Sequence, residues 1–294
     1  MSEIKFAGID IGSNAIRLII KNVIQGRDYK DAILNKLVYL RLPLRLGGDV
    51  FKYGFITDKK YEQFVSGLAI YRKILDFYKI EESQMRACAT SATRDAKNGK
   101  EIINNVYKTT GIKIEIIDGI EEAEILFKTN RYNLPEDEYF MSADLGGGSL
   151  QITIFKDAKM IWSHSFKIGT VRILNNSVKK SEIDFFEQKM KEINEEFPKL
   201  KLIGSGGNIN KISKTLNDKT VKIDDIEKFH KKLEKMTIEE RIRKYSFRAD
   251  RADVIVPAAD IYIKLMKLLD IDKIYVPKTG LADGIIRELY EKHF

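Results

Sequence analysis

This chain of 294 residues is poor in the groups that build disulfides, zinc sites or linkers. Its single cysteine, Cys88, excludes an intramolecular disulfide framework, and with three scattered histidines (His164, His230, His293) it offers no zinc-ligand spacing. Only five prolines and no low-complexity tract leave no place for a floppy linker. No apolar run approaches the roughly 20 residues that span a bilayer, so no membrane association is expected. The opening Met-Ser-Glu-Ile-Lys lacks the charged start and apolar middle of a signal peptide, and a soluble cytoplasmic protein is the default expectation. What is present is charge and core. There are 51 Lys and Arg against 43 Asp and Glu, a net +8, with 44% hydrophobic residues. Such a chain builds real cores, its length suggests about two domains, and its positive excess favours an anionic partner without naming one.

The first part of the chain reads as β-β-β-α-β-α-β-α. Residues 4–11 are apolar and β-branched, Gly12-Ser13-Asn14 is a turn, and residues 15–23 return as a strand. A third strand, 32–42, ends near Gly47-Gly48. Residues 58–78 place Tyr61, Phe64, Leu68, Tyr71 and Leu75 on one helical face. Next come a strand at 86–90, a helix at 97–110 stopped by Gly111, a strand at 112–117 and a helix at 120–132 with an acidic first turn. A second unit repeats the theme: strands at 139–145, 150–156 and 160–166, helices at 171–176 and 181–197, and a strand at 200–204 that meets the Gly204-Ser205-Gly206-Gly207 turn and a helix to 216. Helices are expected over 224–244 and 250–269, a last strand over 273–276 and a terminal helix over 282–292. Strands followed by helices, twice, imply an α/β protein with two related halves.

An internal repeat carries that further. Asp10-Ile-Gly-Ser-Asn-Ala-Ile-Arg-Leu-Ile-Ile20 aligns without a gap on Asp144-Leu-Gly-Gly-Gly-Ser-Leu-Gln-Ile-Thr-Ile154. One Asp-Gly turn is usually an ordinary hairpin; two, each opening a three-strand unit, favour function. Glycine-rich turns can aim several backbone N–H groups at one anion, and small side chains admit close approach. Asp10 and Asp144, at strand ends, suit a divalent cation, and a bridging Mg²⁺ (or another divalent cation) would reconcile two carboxylates with a phosphate. Other signatures are absent: there is no Walker G-x-x-x-x-G-K-[ST], no G-x-G-x-x-G counted from Gly146 or Gly204, and no G-x-S-x-G elbow. Cys88 lacks the glycine-rich cradle of a cysteine phosphatase.

Six segments in order, Asp10–Arg17, Ala89–Ala96, Gly119–Ala123, Asp144–Ser149, Gly204–Asn208 and Arg251-Ala252-Asp253, resemble the exopolyphosphatase/guanosine pentaphosphate phosphatase family of the actin-like ATPase superfamily. The resemblance runs from about residue 4 to Gly284 and matches the short two-domain form. It implies two actin-like ATPase (ribonuclease H-like) domains flanking a central cleft, 1–124 with 281–294 and 125–280. It further implies Glu122 as the base that activates water, with Glu121 as the fallback, and Arg94 as a phosphate-gripping fork. Asp10, Gly12, Ser13, Asn14, Gly146, Gly147, Gly148 and Ser149 are implied as substrate-binding, with Asp10 and Asp144 at the metal. Arg17 reads either as a further phosphate ligand or as an ion-pair partner. Gly206 and Gly207 belong to a turn that contacts adenosine in kinases of the superfamily; here they form a phosphate nest or a structural remnant.

The implied reaction is removal of the terminal phosphate from inorganic polyphosphate. Guanosine pentaphosphate is the alternative substrate, and an ATP-dependent kinase or a non-enzymatic polyphosphate binder are readings of other classes. A homodimer is an expectation of the resemblance. Lys228, Lys231, Lys232, Lys235, Arg241, Arg243, Lys244, Arg248 and Arg251 crowd the later helical segment. Interleaved glutamates make much of that a solvated face, yet it is where a polyanion would bind by counterion release. No nucleic-acid-binding pattern accompanies it.

Overall fold

A computed structural model describes residues 3–26, 31–130, 135–157 and 159–294. The chain divides into two compact units, residues 1–133 with 280–294, and residues 134–279. The expected boundary at 124/125 falls inside a continuous helix, Gly119–Asn130.

In the first unit the β-branched runs form an antiparallel meander, β1 (Glu3–Ile11), β2 (Ile16–Ile24) and β3 (Ile33–Leu42). β4 (Met85–Ala89) and β5 (Ile114–Ile116) add in parallel on the other side of β1, in the order β3-β2-β1-β4-β5. The sheet is apolar on both faces. Ile9, Ile11, Ile16, Leu18 and Ile20 are buried with Phe64, Leu68, Tyr71 and Leu75 of α2 (Asp58–Phe77), whose apolar face follows its i, i+3/i+4 spacing. α1 (Leu46–Tyr53), α3 (Ser91–Asp95) and α4 (Gly99–Thr110) flank this core. The opposite face, with Phe6, Ile19, Val23 and Cys88, is covered by α5 (Gly119–Asn130) and by the chain's last helix, α13 (Leu281–His293), which returns to this unit. Gly8 permits that return: a Cβ there would stand 2.7 Å from the carbonyl oxygen of Ala282.

The second unit repeats the plan. β6 (Phe140–Leu145), β7 (Leu150–Lys156) and β8 (Lys159–Phe166) form the meander, and β9 (Lys201–Ser205) and β11 (Lys273–Tyr275) extend it in parallel. The short β10 (Thr220–Lys222) closes the edge, giving β10-β11-β9-β6-β7-β8. α6 (Thr170–Leu174), α7 (Lys180–Glu196), α8 (Gly207–Leu216), α9 (Ile223–Glu234), α10 (Ile238–Tyr245), α11 (Ala249–Ala252) and α12 (Ile255–Leu268) complete it. The gapless repeat survives in the hydrogen-bond ladders: Asp10 faces Arg17 across β1–β2 as Asp144 faces Gln151 across β6–β7.

Four local expectations change. Gly47-Gly48 lie inside helix α1 rather than at a strand end. The helix expected over 224–244 is broken, because Thr237 and Glu240 form a reciprocal capping box that starts α10. The helix expected over 250–269 is split into α11 and α12. β10 has no counterpart among the expected strands, since three residues are too few to show a period. Tyr132, where the third helix of the first unit was expected to end, lies outside the described residues. No helix among the described residues is long and apolar enough to cross a membrane.

Candidate active site

Strands β1, β4 and β5 run parallel, so their carboxyl ends lie on one edge of the sheet, the edge where α/β sheets bind ligands. The β1–β2 turn stands there. The Gly12 N–H closes it on the Ala15 carbonyl at 3.1 Å, and α1 draws its carbonyls aside: Arg45 N–H donates to Asn14 (3.0 Å) and Gly47 N–H to Ser13 (2.8 Å). From the next crossover, Thr90 N–H donates to the Ile11 carbonyl at 3.1 Å, and the Ser91 and Ser13 hydroxyls meet at 2.9 Å. Asp10, 5% exposed, is ion-paired with Arg17, the contact that the ion-pair reading of that arginine expects. A buried carboxylate needs such a partner.

Arg94, on α3, donates from one terminal nitrogen to the Ile117 carbonyl at 2.7 Å, and the same nitrogen is 3.9 Å from a Glu122 carboxylate oxygen. Glu122 and Glu121 are neighbours with different surroundings. Asp118 caps α5, its carboxylate accepting from the N–H groups of Ile120 and Glu121 at 2.9 Å each; neither glutamate is needed as the cap. Glu121 is 42% exposed and bound to Arg86, which also pairs with Glu115 and Glu288. Glu122 is only 15% exposed and sits beside Arg94.

The second unit builds the corresponding edge. Gly146 N–H closes the β6–β7 turn on the Ser149 carbonyl at 2.9 Å. The first N–H groups of α6 take the turn's carbonyls, Thr170 donating to Gly146 (3.1 Å) and Val171 to Gly147 (2.8 Å), and buried Arg172 donates through Nε to Gly148 (2.7 Å). Among the described residues, no acceptor takes the N–H groups of Ser13, Gly147 or Gly148. Asp144 accepts from Ser205 Oγ at 2.9 Å. Beyond β9, Gly206 has φ 91°, and a Cβ there would lie 2.8 Å from the other Asp144 oxygen. Arg251 donates to the Asn208 side chain and lies against Gly207.

A buried tyrosine underlies each aspartate strand. Tyr71 donates to the Ile16 carbonyl at 3.0 Å, and Tyr262 to that of Ser205 at 3.0 Å. Burial, reinforced by Asp10 and Asp144 respectively, raises both phenols, so both remain neutral donors.

Asp10, Gly12, Ser13, Asn14, Arg17, Arg94 and Glu122 are thus gathered at one edge of the first sheet, and Asp144, Gly146, Gly147, Gly148, Ser149, Gly206 and Gly207 at the matching edge of the second. Glu121 is drawn to Arg86 instead. Sequence reasoning missed Ser91, Ser205, Arg172 and Asp118. Ser91 lies within the Ala89–Ala96 segment, but its meeting with Ser13 spans 78 positions. The Asp118 cap was visible as Asp-Gly before an acidic helical turn. Among the described residues no three Asp, Glu, His or Cys side chains cluster for a metal. Asp144 still fits Mg²⁺, which keeps several waters and takes one or two carboxylates plus substrate phosphates: it is a carboxylate at the end of β6 beside the glycine turn, and one of its oxygens faces a position kept clear of Cβ.

The model of the Ppx/GppA phosphatase family matches residues 27–293. The Bifunctional 3-dehydroquinate synthase/phosphatase of Fusobacterium nucleatum is 37% identical over 218 residues, covering 68% of this chain and 32% of that protein. Exopolyphosphatase 1 of Mycobacterium leprae is 25% identical over 166 residues, 56% of this chain and 47% of its own. The chain therefore spans less than half the length of either curated relative. A crystal structure of an exopolyphosphatase from Cytophaga hutchinsonii superimposes with a TM-score of 0.85 at 22% identity, covering 98% of both chains. That likeness shows the fold, two α/β domains of the actin-like kind.

Proposed function

Since the chain belongs to the Ppx/GppA phosphatase family, we propose that it hydrolyses the terminal phosphoanhydride of inorganic polyphosphate and releases orthophosphate. The observation that carries the reading is the pairing of largely buried Glu122 with Arg94 on α3, the helix whose Ser91 meets Ser13 of the first turn, while Glu121 is taken up by Arg86. In this reading Glu122 takes a proton from water as its oxygen attacks the terminal phosphorus. The bond to the bridging oxygen breaks, and the chain leaves one phosphate shorter. Phosphoryl transfer asks the protein chiefly to position and neutralise. Arg94 supplies a charged fork, and each unit's aspartate turn carries open N–H groups suited to phosphate oxygens, Ser13 in the first and Gly147 and Gly148 in the second. Mg²⁺ held at Asp144 would neutralise charge on the phosphate oxygens when bound.

Glu122→Gln keeps the shape and removes the base; phosphate release is expected to fall about 10²–10⁴-fold while polyphosphate still binds. Glu121→Gln is expected to retain most turnover. Phosphate release would be measured with polyphosphates of graded length, guanosine pentaphosphate and ATP, each with and without Mg²⁺. Undiminished turnover in Glu122→Gln would overturn the role of that residue. Faster release from guanosine pentaphosphate would move the substrate within the family. Tight chain binding without release would make the protein a binder, and ATP consumption that needs an acceptor would make it a kinase.

A further inference from the structure

The lysines of the second unit differ in what their ammonium groups meet. Lys264 and Lys267 are paired with Glu187 and Glu227, and Arg241, within the basic segment, spends its guanidinium on the carbonyls of Leu233 and Ala252 at 2.9 Å each. Lys211, one turn into α8, differs. Its ammonium is half-buried, lies 4.9 Å from the Phe247 ring centre and reaches the Tyr245 carbonyl at 3.4 Å. Burial lowers its pKa, and the charges acting on it, Lys214 and Arg251, are both of like sign and lower it further. Partial desolvation of a cation among cations costs free energy. A neutral aromatic face and one long carbonyl bond offset little of it, whereas an anion would lower it by direct charge pairing.

This group adjoins the candidate site through covalent neighbours. Asp144 faces Gly206, Arg251 lies against Gly207, and Lys211 and Lys214 stand on α8 at i+4 and i+7 from that glycine, on one side of the helix. Positive charge is thus laid outward from the Asp144 turn along α8.

From this we infer that Lys211 and Lys214, continuing from Arg251, form a subsite for phosphate groups remote from the one being cleaved, a hold on the body of a phosphate chain. The subsite rests on the reading that the substrate is a polyphosphate. It takes a linear polyanion of repeated phosphates rather than a compact triphosphate, because its charges are strung along more than a helical turn. A flexible polyanion binds such a row by releasing counterions, so the contribution depends on salt.

The test is the double variant Lys211→Gln/Lys214→Gln, beside Lys180→Gln/Lys191→Gln, which makes the same charge change on α7. For chains of about 100 phosphates the first pair is expected to raise KM about tenfold, at least five times the effect on tripolyphosphate, and to flatten the slope of log KM against log salt by about 1.5 units. The α7 pair is expected to change none of these. Binding of the same long chains to Glu122→Gln protein, with and without the two lysine changes, separates this inference from the activity. If the wild-type protein released no phosphate yet the lysine pair weakened chain binding about tenfold, the subsite would stand without the hydrolase reading. Equal KM shifts for short and long chains, an unchanged salt slope, or the same loss from the α7 pair would overturn it.

Discussion

At the scale of single residues, two adjacent glutamates with the same chemistry are separated by what surrounds them. Glu121 reaches Arg86, and Glu122 is largely buried beside Arg94. No spacing rule distinguishes them, because the distinction depends on Arg86 and Glu288, which lie 35 and 167 positions from Glu121. Gly206 shows the same dependence. Its φ of 91° and the 2.8 Å approach to Asp144 both exclude a side chain. Gly206→Ala is expected to cost about 1–3 kcal/mol of stability and to displace the Asp144 carboxylate. In activity assays, the Mg²⁺ concentration for half-maximal rate should rise severalfold, with a fall in Tm measured alongside. A lower Tm with unchanged metal dependence would remove Asp144 from the cation site. The paired aspartates and glycine turns were legible because the repeat displays them twice; the Arg17–Asp10 ion pair was legible only as one of two readings.

At the scale of elements, the long strands and amphipathic helices were readable from period and composition alone. Residues 58–78 announced α2, and the β-branched runs announced β1, β2, β6 and β7. The misread elements are those whose stability comes from elsewhere. α1 contains two glycines and forms where its first N–H groups take the carbonyls of Ser13 and Asn14, so tertiary context overrides weak propensity. The last helix is held likewise by charge at a distance. Arg86 on β4 reaches Glu288 on α13 at 2.5 Å, and Lys128 and Lys292 stand at 3.8 and 3.1 Å. Burial opposes ionisation of Glu288, but the hydrogen bond from Lys292 and the charges of Arg86 and Lys128 outweigh it and hold the carboxyl below its ordinary 4.5. A depressed folded-state pKa contributes stability above pH 4.5 that is lost as pH falls from there through the folded value. Glu288→Gln should therefore destabilise the first unit by about 1–2 kcal/mol near neutrality and make its unfolding less sensitive to acid below pH 4.5. Denaturant titration at pH 7 and pH 4 checks both, and equal losses at the two pH values would contradict the assignment.

For the whole molecule, the meaningful division is between two sheets of common plan and their separate cores. The order β3-β2-β1-β4-β5 recurs as β8-β7-β6-β9-β11, turn for turn at the two aspartates. The halves diverge in the helices that cover these sheets, and the first unit is finished only by the chain's last fifteen residues. Leu281, Ala282, Ile285, Ile286, Leu289 and Tyr290 are all buried on its sheet. Losing one large core side chain typically costs about 2–5 kcal/mol, so ending the chain at Thr279 removes more than a domain's usual margin of about 5–15 kcal/mol. The truncated protein is expected to keep protease-resistant residues 134–279 and lose protection in residues 1–133. Protection of both would show that the first core stands without α13.

Cys88 lies in that same layer, fully buried beneath α5 and α13, and burial is the largest of the causes that push its thiol up to about 12. As the sole thiol in the chain, it is a clock built into one half of the molecule. A sulfhydryl reagent at pH 8 can react only when the covering helices lift, so the labelling rate counts openings of the first unit and is blind to the second. Any ligand that tightens the first unit will slow that clock, and a ligand held by the second unit alone will leave it running at its own rate.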